Sequence, residues 1–127
     1  GARPLLVALN CDLDTDILEV AVSIAAAVRE SSGGLPGVRA LGLALATAGC
    51  AQVSMNLTDL PATGIEAACT AVRERAVALS TDITRVELVG LMPAAEFARC
   101  SDEFRAWSGL DASMTIEARL AARETAL

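Results

Sequence analysis

Histidine is absent from this chain, and aromatic residues make up only 2% of it. Histidine has the side-chain pKa nearest neutrality, so its absence removes the commonest general acid–base group and the commonest metal ligand. With few aromatic rings, Ala, Val, Leu and Ile must fill the core, which predicts close helix-to-sheet packing and modest stability. The chain has no uncharged apolar run of about 18 residues, the length a membrane-spanning helix needs. Ten basic residues face sixteen acidic ones, for a net charge of -6. Nucleic acids and anionic membrane surfaces both select clustered positive charge, so neither is an expected partner. The four cysteines, at 11, 50, 69 and 100, form no CxxC pair, and the paired spacing of a structural zinc site is missing. No metal is expected. Without a secretory signal, reduced thiols in a cytoplasmic protein are expected ahead of two disulfides. Cys69 falls on the apolar face of a helix, as a small buried hydrophobe does. What remains is a small ligand or a protein partner. The opening Gly1-Ala2-Arg3-Pro4 carries no initiator methionine, as expected of a piece cut from something longer.

Of the 127 residues, 54% are hydrophobic, which excludes disorder and suits one domain that buries roughly two-thirds of its unfolded surface. Leu5 to Asn10 is apolar on both faces and predicts a central strand. Asp16 and Glu19 stand in capping-box spacing, ahead of a stripe of Ile17, Val20, Ala21, Ile24 and Val28 at helical intervals. Ser31-Ser32-Gly33-Gly34 stops that helix, or wraps an anion with its backbone N–H groups. A second strand spans Val38 to Ala46, and Gly49 turns the chain into a third. After the break at Pro61 to Gly64, Ile65, Ala68, Cys69, Val72, Ala76 and Leu79 mark a second amphipathic helix. A fourth strand follows near Thr84 to Leu91. Pro93 opens a short helix through about Arg99, and the tail from Ala112 is helix-forming, with Ile116 and Leu120 four apart. The order β-α-β-β-α-β with a C-terminal helical tail predicts an α+β, ferredoxin-like domain with its helices on one sheet face.

The third strand carries the most informative pattern. Ala51, Val53, Met55 and Leu57 alternate with Gln52, Ser54, Asn56 and Thr58, so the two sets take opposite faces. The polar set is amide, hydroxyl, amide, hydroxyl, groups that both donate and accept hydrogen bonds in fixed directions. They suit a neutral polar ligand ring, a buried inter-domain interface, or a solvated strand face. In a ferredoxin-like sheet this strand is interior, beside the first. If the helices cover the Met55 side, Gln52, Ser54 and Asn56 project from the open face.

Val38-Arg39-Ala40-Leu41-Gly42-Leu43 followed by Ala51-Gln52-Val53-Ser54-Met55-Asn56-Leu57-Thr58 resembles the C-terminal subdomain of glutamate formiminotransferase. Matching pieces flank it in collinear order: Gly1 to Pro4, Leu6 to Asn10, Val28 to Gly34, and Glu87 to Pro93. Together they cover about nine-tenths of the chain. The resemblance implies a transferase of histidine catabolism that moves a formimino group from N-formiminoglutamate to tetrahydrofolate, the folate acting as substrate. In that family two α/β subdomains sit against one another with folate in the cleft between them, and the catalytic histidine belongs to the N-terminal subdomain. This chain would contribute binding alone, with that N-terminal subdomain as its partner.

The expected folate- or substrate-binding residues are Gln52, Ser54 and Asn56, joined by Arg3, Asn10 and Glu87; none is expected to be catalytic. Arg3 is placed to pair bidentately with a glutamate carboxylate, or is a solvated linker arginine. Asn10 ends the central strand where ligands often sit, or caps a turn. Glu87 is the sole acid expected within a strand, facing a ligand or a solvated edge. The chain departs from the family pattern at Val86, where a serine is usual before the glutamate, at Asp12, where asparagine is usual, at Thr63-Gly64, where Thr-Pro is usual, and at alanines such as Ala68. Two rival expectations stand beside this one: a stand-alone ligand-binding module without catalysis, and a dimerisation domain that uses its open sheet face for protein contact.

Overall fold

A computed structural model describes residues 5–126 of the chain. Four strands, β1 (Val7–Leu13), β2 (Val38–Leu45), β3 (Cys50–Leu57) and β4 (Ile83–Val89), form one sheet in the order β2-β3-β1-β4. Every neighbouring pair is antiparallel. Helix α1 (Leu18–Val28) joins β1 to β2, and α2 (Ile65–Ala78) joins β3 to β4. This is the expected α+β, ferredoxin-like arrangement, with β3 interior beside β1. Three more helices follow: α3 (Ala94–Arg99), α4 (Asp102–Ser108) and α5 (Ile116–Ala126).

Alternation along the inner strands separates the faces. Val7, Leu9, Cys11 and Leu13 of β1, and Ala51, Val53, Met55 and Leu57 of β3, are all buried under the helices. Ala21, Ile24, Ala25 and Val28 of α1, and Ile65, Ala68, Cys69, Val72 and Ala76 of α2, meet them there. Small residues allow this close approach. A Cβ added to Gly42 of β2 would lie 2.4 Å from the Val22 backbone nitrogen of α1, so α1 rests directly on the strand at a position only glycine leaves open.

Local chemistry departs from the sequence pattern at several points. β1 continues to Leu13 rather than ending at Asn10, and it is apolar on one face only, because Ala8, Asn10 and Asp12 lie on the other. The Asp16–Glu19 capping box does not form. Ile17 takes the cap position of α1 without a side-chain bond, and its backbone N–H donates to Thr15 Oγ1 at 3.2 Å. Ser31 to Gly34 is a helix stop and not an anion cradle: the N–H groups of Ser32, Gly33 and Gly34 donate to the carbonyls of Arg29, Glu30 and Arg29. The ends of two stripes, Ile17 and Leu79, are exposed, as is Leu120 on α5.

Helix α4 is the element without an advance signal in the apolar spacing. It is held by its cap. Ser101 Oγ accepts from the Phe104 N–H at 3.1 Å, and Gly109 ends it at φ 74°. Its Phe104 enters the core and meets Trp107 edge-on at 4.9 Å, so two of the three aromatic rings gather here. Helix α3 contributes Glu96, a carboxylate only 4% exposed. It accepts from the Ile65 N–H at 2.8 Å, at the first turn of α2, and from Arg99 at 3.0 Å. A buried anion at a helix N-terminus satisfies an orphan donor and complements the helix dipole.

Candidate functional site

The open face of the sheet collects the polar residues. Register fixes three rows across it: Leu43, Gln52, Asp12 and Arg85; then Leu41, Ser54, Asn10 and Glu87; then Arg39, Asn56, Ala8 and Val89. Five of the six expected site residues therefore share one face, and they sit on the three strands β3, β1 and β4. The sixth, Arg3, lies outside the described residues. Period-2 alternation produces the columns, and antiparallel pairing brings the columns side by side.

The first two rows are joined by hydrogen bonds and one longer ion pair. Gln52 Nε2 donates to Asp12 Oδ1 at 2.8 Å. Arg85 approaches Asp12 Oδ2 at 3.9 Å and donates to Glu87 Oε2 at 3.2 Å. Asn10 Nδ2 donates to Glu87 Oε1 at 3.2 Å. Asn10 thus pairs sideways across the sheet and does not cap a turn. Among the described residues no side-chain hydrogen bond engages Ser54 or Asn56, so their donors and acceptors stay available to something lying on the face.

Asp12, singled out in the sequence only as a departure from the family pattern, and Arg85 join the expected site residues on this face, and Glu87 is not the sole acid within a strand. Asp12 stands two residues beyond Asn10, and Arg85 two residues before Glu87. Their membership was legible as i, i+2 spacing once β1 was allowed to run three residues further. Gln52 and Asp12, at 6% and 8% exposure, are the least exposed polar residues of the face. Their mutual bond offsets much of the desolvation that burial imposes.

At the end of this face the β1–α1 segment and the β2–β3 turn border an open pocket of about 450 Å³. It is lined by Asp12, Asp14, Asp16, Cys50, Thr84 and Arg85, among others. Burial, and then the Asp12 carboxylate, push the Cys50 thiol above its ordinary pKa, so this cysteine is a protonated and weak nucleophile at neutral pH. A larger groove of about 670 Å³ lies away from this face, between α2 and α3. Its polar groups are largely spent on one another: Glu66 accepts from both the Ser101 N–H and Oγ, and Glu96 is occupied as described.

The face is a surface of positioned acceptors and donors without a nucleophile–base pair, and no group of metal-ligating side chains gathers among the described residues. Among those residues, too, no helix is long and apolar enough to cross a membrane. All four cysteines are free.

Comparison with known proteins gives this arrangement a context. The model of the formiminotransferase domain matches residues 8–117. A glutamate formimidoyltransferase of Thermoplasma acidophilum is 32% identical over 120 residues, which are 94% of this chain and 40% of that protein. One from Streptococcus pyogenes serotype M1 is 35% identical over 94 residues, 74% of this chain and 31% of that protein. The chain therefore spans less than half the length of these relatives.

Proposed function

The chain belongs to the formiminotransferase domain family, and from that premise we propose that it forms the folate-side wall of an inter-domain cleft in a glutamate formimidoyltransferase. The observation that carries this reading is the single open sheet face on which Gln52, Ser54, Asn56, Asn10 and Glu87 meet. A reduced pterin is a planar ring edged with donors and acceptors. A rigid sheet with Ser54 and Asn56 unspent and Gln52 and Asn10 pre-oriented by their neighbours holds complementary groups at fixed positions, which lowers the ordering cost of binding. In this reading Arg3 pairs with a carboxylate of the folate tail or of the donor.

The chain's contribution is binding and not proton transfer. Formimino transfer passes through a tetrahedral intermediate that needs a base near neutrality. The face supplies carboxylates, amides and hydroxyls, and the chain holds no histidine. The base then comes from a partner half, the N-terminal formiminotransferase subdomain, placed across the cleft, with tetrahydrofolate and N-formiminoglutamate bound between the two. Exposed Leu41 and Val89, beside the polar rows, supply apolar rim contacts for that docking. The whole enzyme is cytoplasmic in this account.

Titration of the ¹⁵N-labelled chain with 5-formyltetrahydrofolate tests it. The expected result is amide shifts concentrated at Gln52, Ser54, Asn56 and Asn10, and no formimino transfer by the chain alone. Shifts elsewhere, or none with the histidine-bearing half of a relative added in trans, would remove folate from this face.

A further inference from the structure

Two of the four free thiols touch in the core, on the helix-covered side of the sheet. Cys11 Sγ, on β1, donates to Cys69 Sγ, on α2, at 3.9 Å. Both residues are wholly buried, at 0% exposure, and 58 positions of chain separate them. A disulfide bond measures about 2.0 Å. Closing the pair therefore asks each sulfur to move about 1 Å, which a modest rotation about each Cα–Cβ bond supplies.

The surroundings leave the two thiols to one another. Cys11 stands between Val53 of β3 and Val86 of β4 in the register of the sheet. Cys100 spends its thiol on the Glu96 carbonyl at 3.5 Å, and Cys50 borders the open pocket at the sheet end. Two sulfurs fall short of the four ligands of a structural zinc site. Alanine fills other turns of the same buried stripe of α2, at Ala68 and Ala76, so packing by itself does not ask for sulfur at Cys69.

We propose that Cys11 and Cys69 are a latent redox pair, which a low-molecular-weight disulfide such as oxidised glutathione converts into a disulfide joining β1 to α2. One cysteine thiolate attacks a sulfur of the oxidant, whose S–S bond breaks, and one glutathione leaves with the bonding electron pair and takes up a proton. The other cysteine thiolate then attacks the protein sulfur of the mixed disulfide and expels the second glutathione. Two protein thiols and one oxidised glutathione thus become one protein disulfide and two reduced glutathiones. Exchange needs a thiolate with access to the oxidant. Contact with Cys11, and then burial, hold the Cys69 thiol well above its ordinary pKa, and neither residue meets solvent. The reaction therefore runs through transient separation of α2 from the sheet, and the closed fold then shields the bond from reductant. Asn10 and Asp12, on either side of Cys11, belong to the open face, so the bond pins the strand that carries them without occupying that face.

The test incubates the reduced chain in a buffer of oxidised and reduced glutathione, in one arm folded and in the other refolding from urea. Remaining thiols are then blocked with N-ethylmaleimide and the peptides mapped by mass. The expected product in both arms is a single cross-link between Cys11 and Cys69, with Cys50 and Cys100 alkylated, and it should form more slowly in the folded arm. Because the bond closes a long loop, the linked chain should melt higher than the reduced chain by roughly 10 °C. Cys69→Ala should give neither the cross-link nor the shift. The wild-type arms decide the matter even if that variant fails to fold. Alkylation of both Cys11 and Cys69 after refolding overturns the proposal, as does a bond from either one to Cys50 or Cys100. A linked chain that melts no higher than the reduced one also overturns it, since the contact would then be packing that a bond strains.

Discussion

Among single residues, the ionisable inventory is unusually simple at high pH. All ten basic residues are arginine, and the chain has no tyrosine. Lysine and tyrosine, which ordinarily titrate at about pH 10, are both absent. Cys100 is held up to about 11, first by burial and then by the nearby Glu96 and Glu66 carboxylates. Cys69, packed 3.9 Å from the sulfur of Cys11, is also held well up, first by that contact and then by burial. The unfolded chain releases the Cys100 proton near 9.0, while the folded chain retains it to about 11. Its contribution to stability is full below pH 9 and is lost as pH rises through 11. Urea unfolding at pH 8.5 and 11 should show that fall, and Cys100→Ala should flatten it. An unchanged slope in the variant would mean that Cys100 is not the group responsible.

At the level of elements, the contact of α1 with β2 depends on one missing methyl group. Gly42→Ala places a Cβ against the backbone of Ala21 and Val22, atoms that cannot swing aside. Overpacking of this kind costs about 1–3 kcal/mol, and for a chain of this size each kcal/mol lowers the thermal midpoint by roughly 3–5 °C. A midpoint within a degree of wild type would show that α1 shifts without cost. The same scale explains which elements were legible beforehand. Strand β3 and helices α1 and α2 announced themselves because each has a buried face with a regular period. Helix α4 did not, since it is short and rests on the Ser101 cap and two aromatic rings instead of an apolar stripe. The Asp16–Glu19 spacing misled because the chain enters α1 one residue later, leaving Asp16 outside the cap.

For the whole molecule, a layer of helices covers one sheet face and leaves the other open among the described residues. Leu41 is 58% exposed on that face, and Leu43 and Val89 extend the apolar border around the polar rows. The isolated chain should therefore self-associate in a concentration-dependent way through this face, and Leu41→Asp should shift it toward monomer without lowering its unfolding midpoint. Sedimentation equilibrium measures this directly; a wild-type chain that stays monomeric at high concentration would show that the polar rows keep the face wet.

The order of elements, the amphipathic stripes, the polar column Gln52-Ser54-Asn56 and the absence of a histidine base were determined by the sequence itself, because alternation and helical period follow from local backbone geometry. Which side of β3 the helices cover was not local information, and neither was the extension of β1 that carries Asp12 onto the face. Those were decided by tertiary structure: antiparallel register set Gln52 beside Asp12, Asn10 beside Glu87, and Arg85 between the two acids. These residues stand up to 77 positions apart in the chain, and only the closing of the sheet converts their spacing into neighbouring charges.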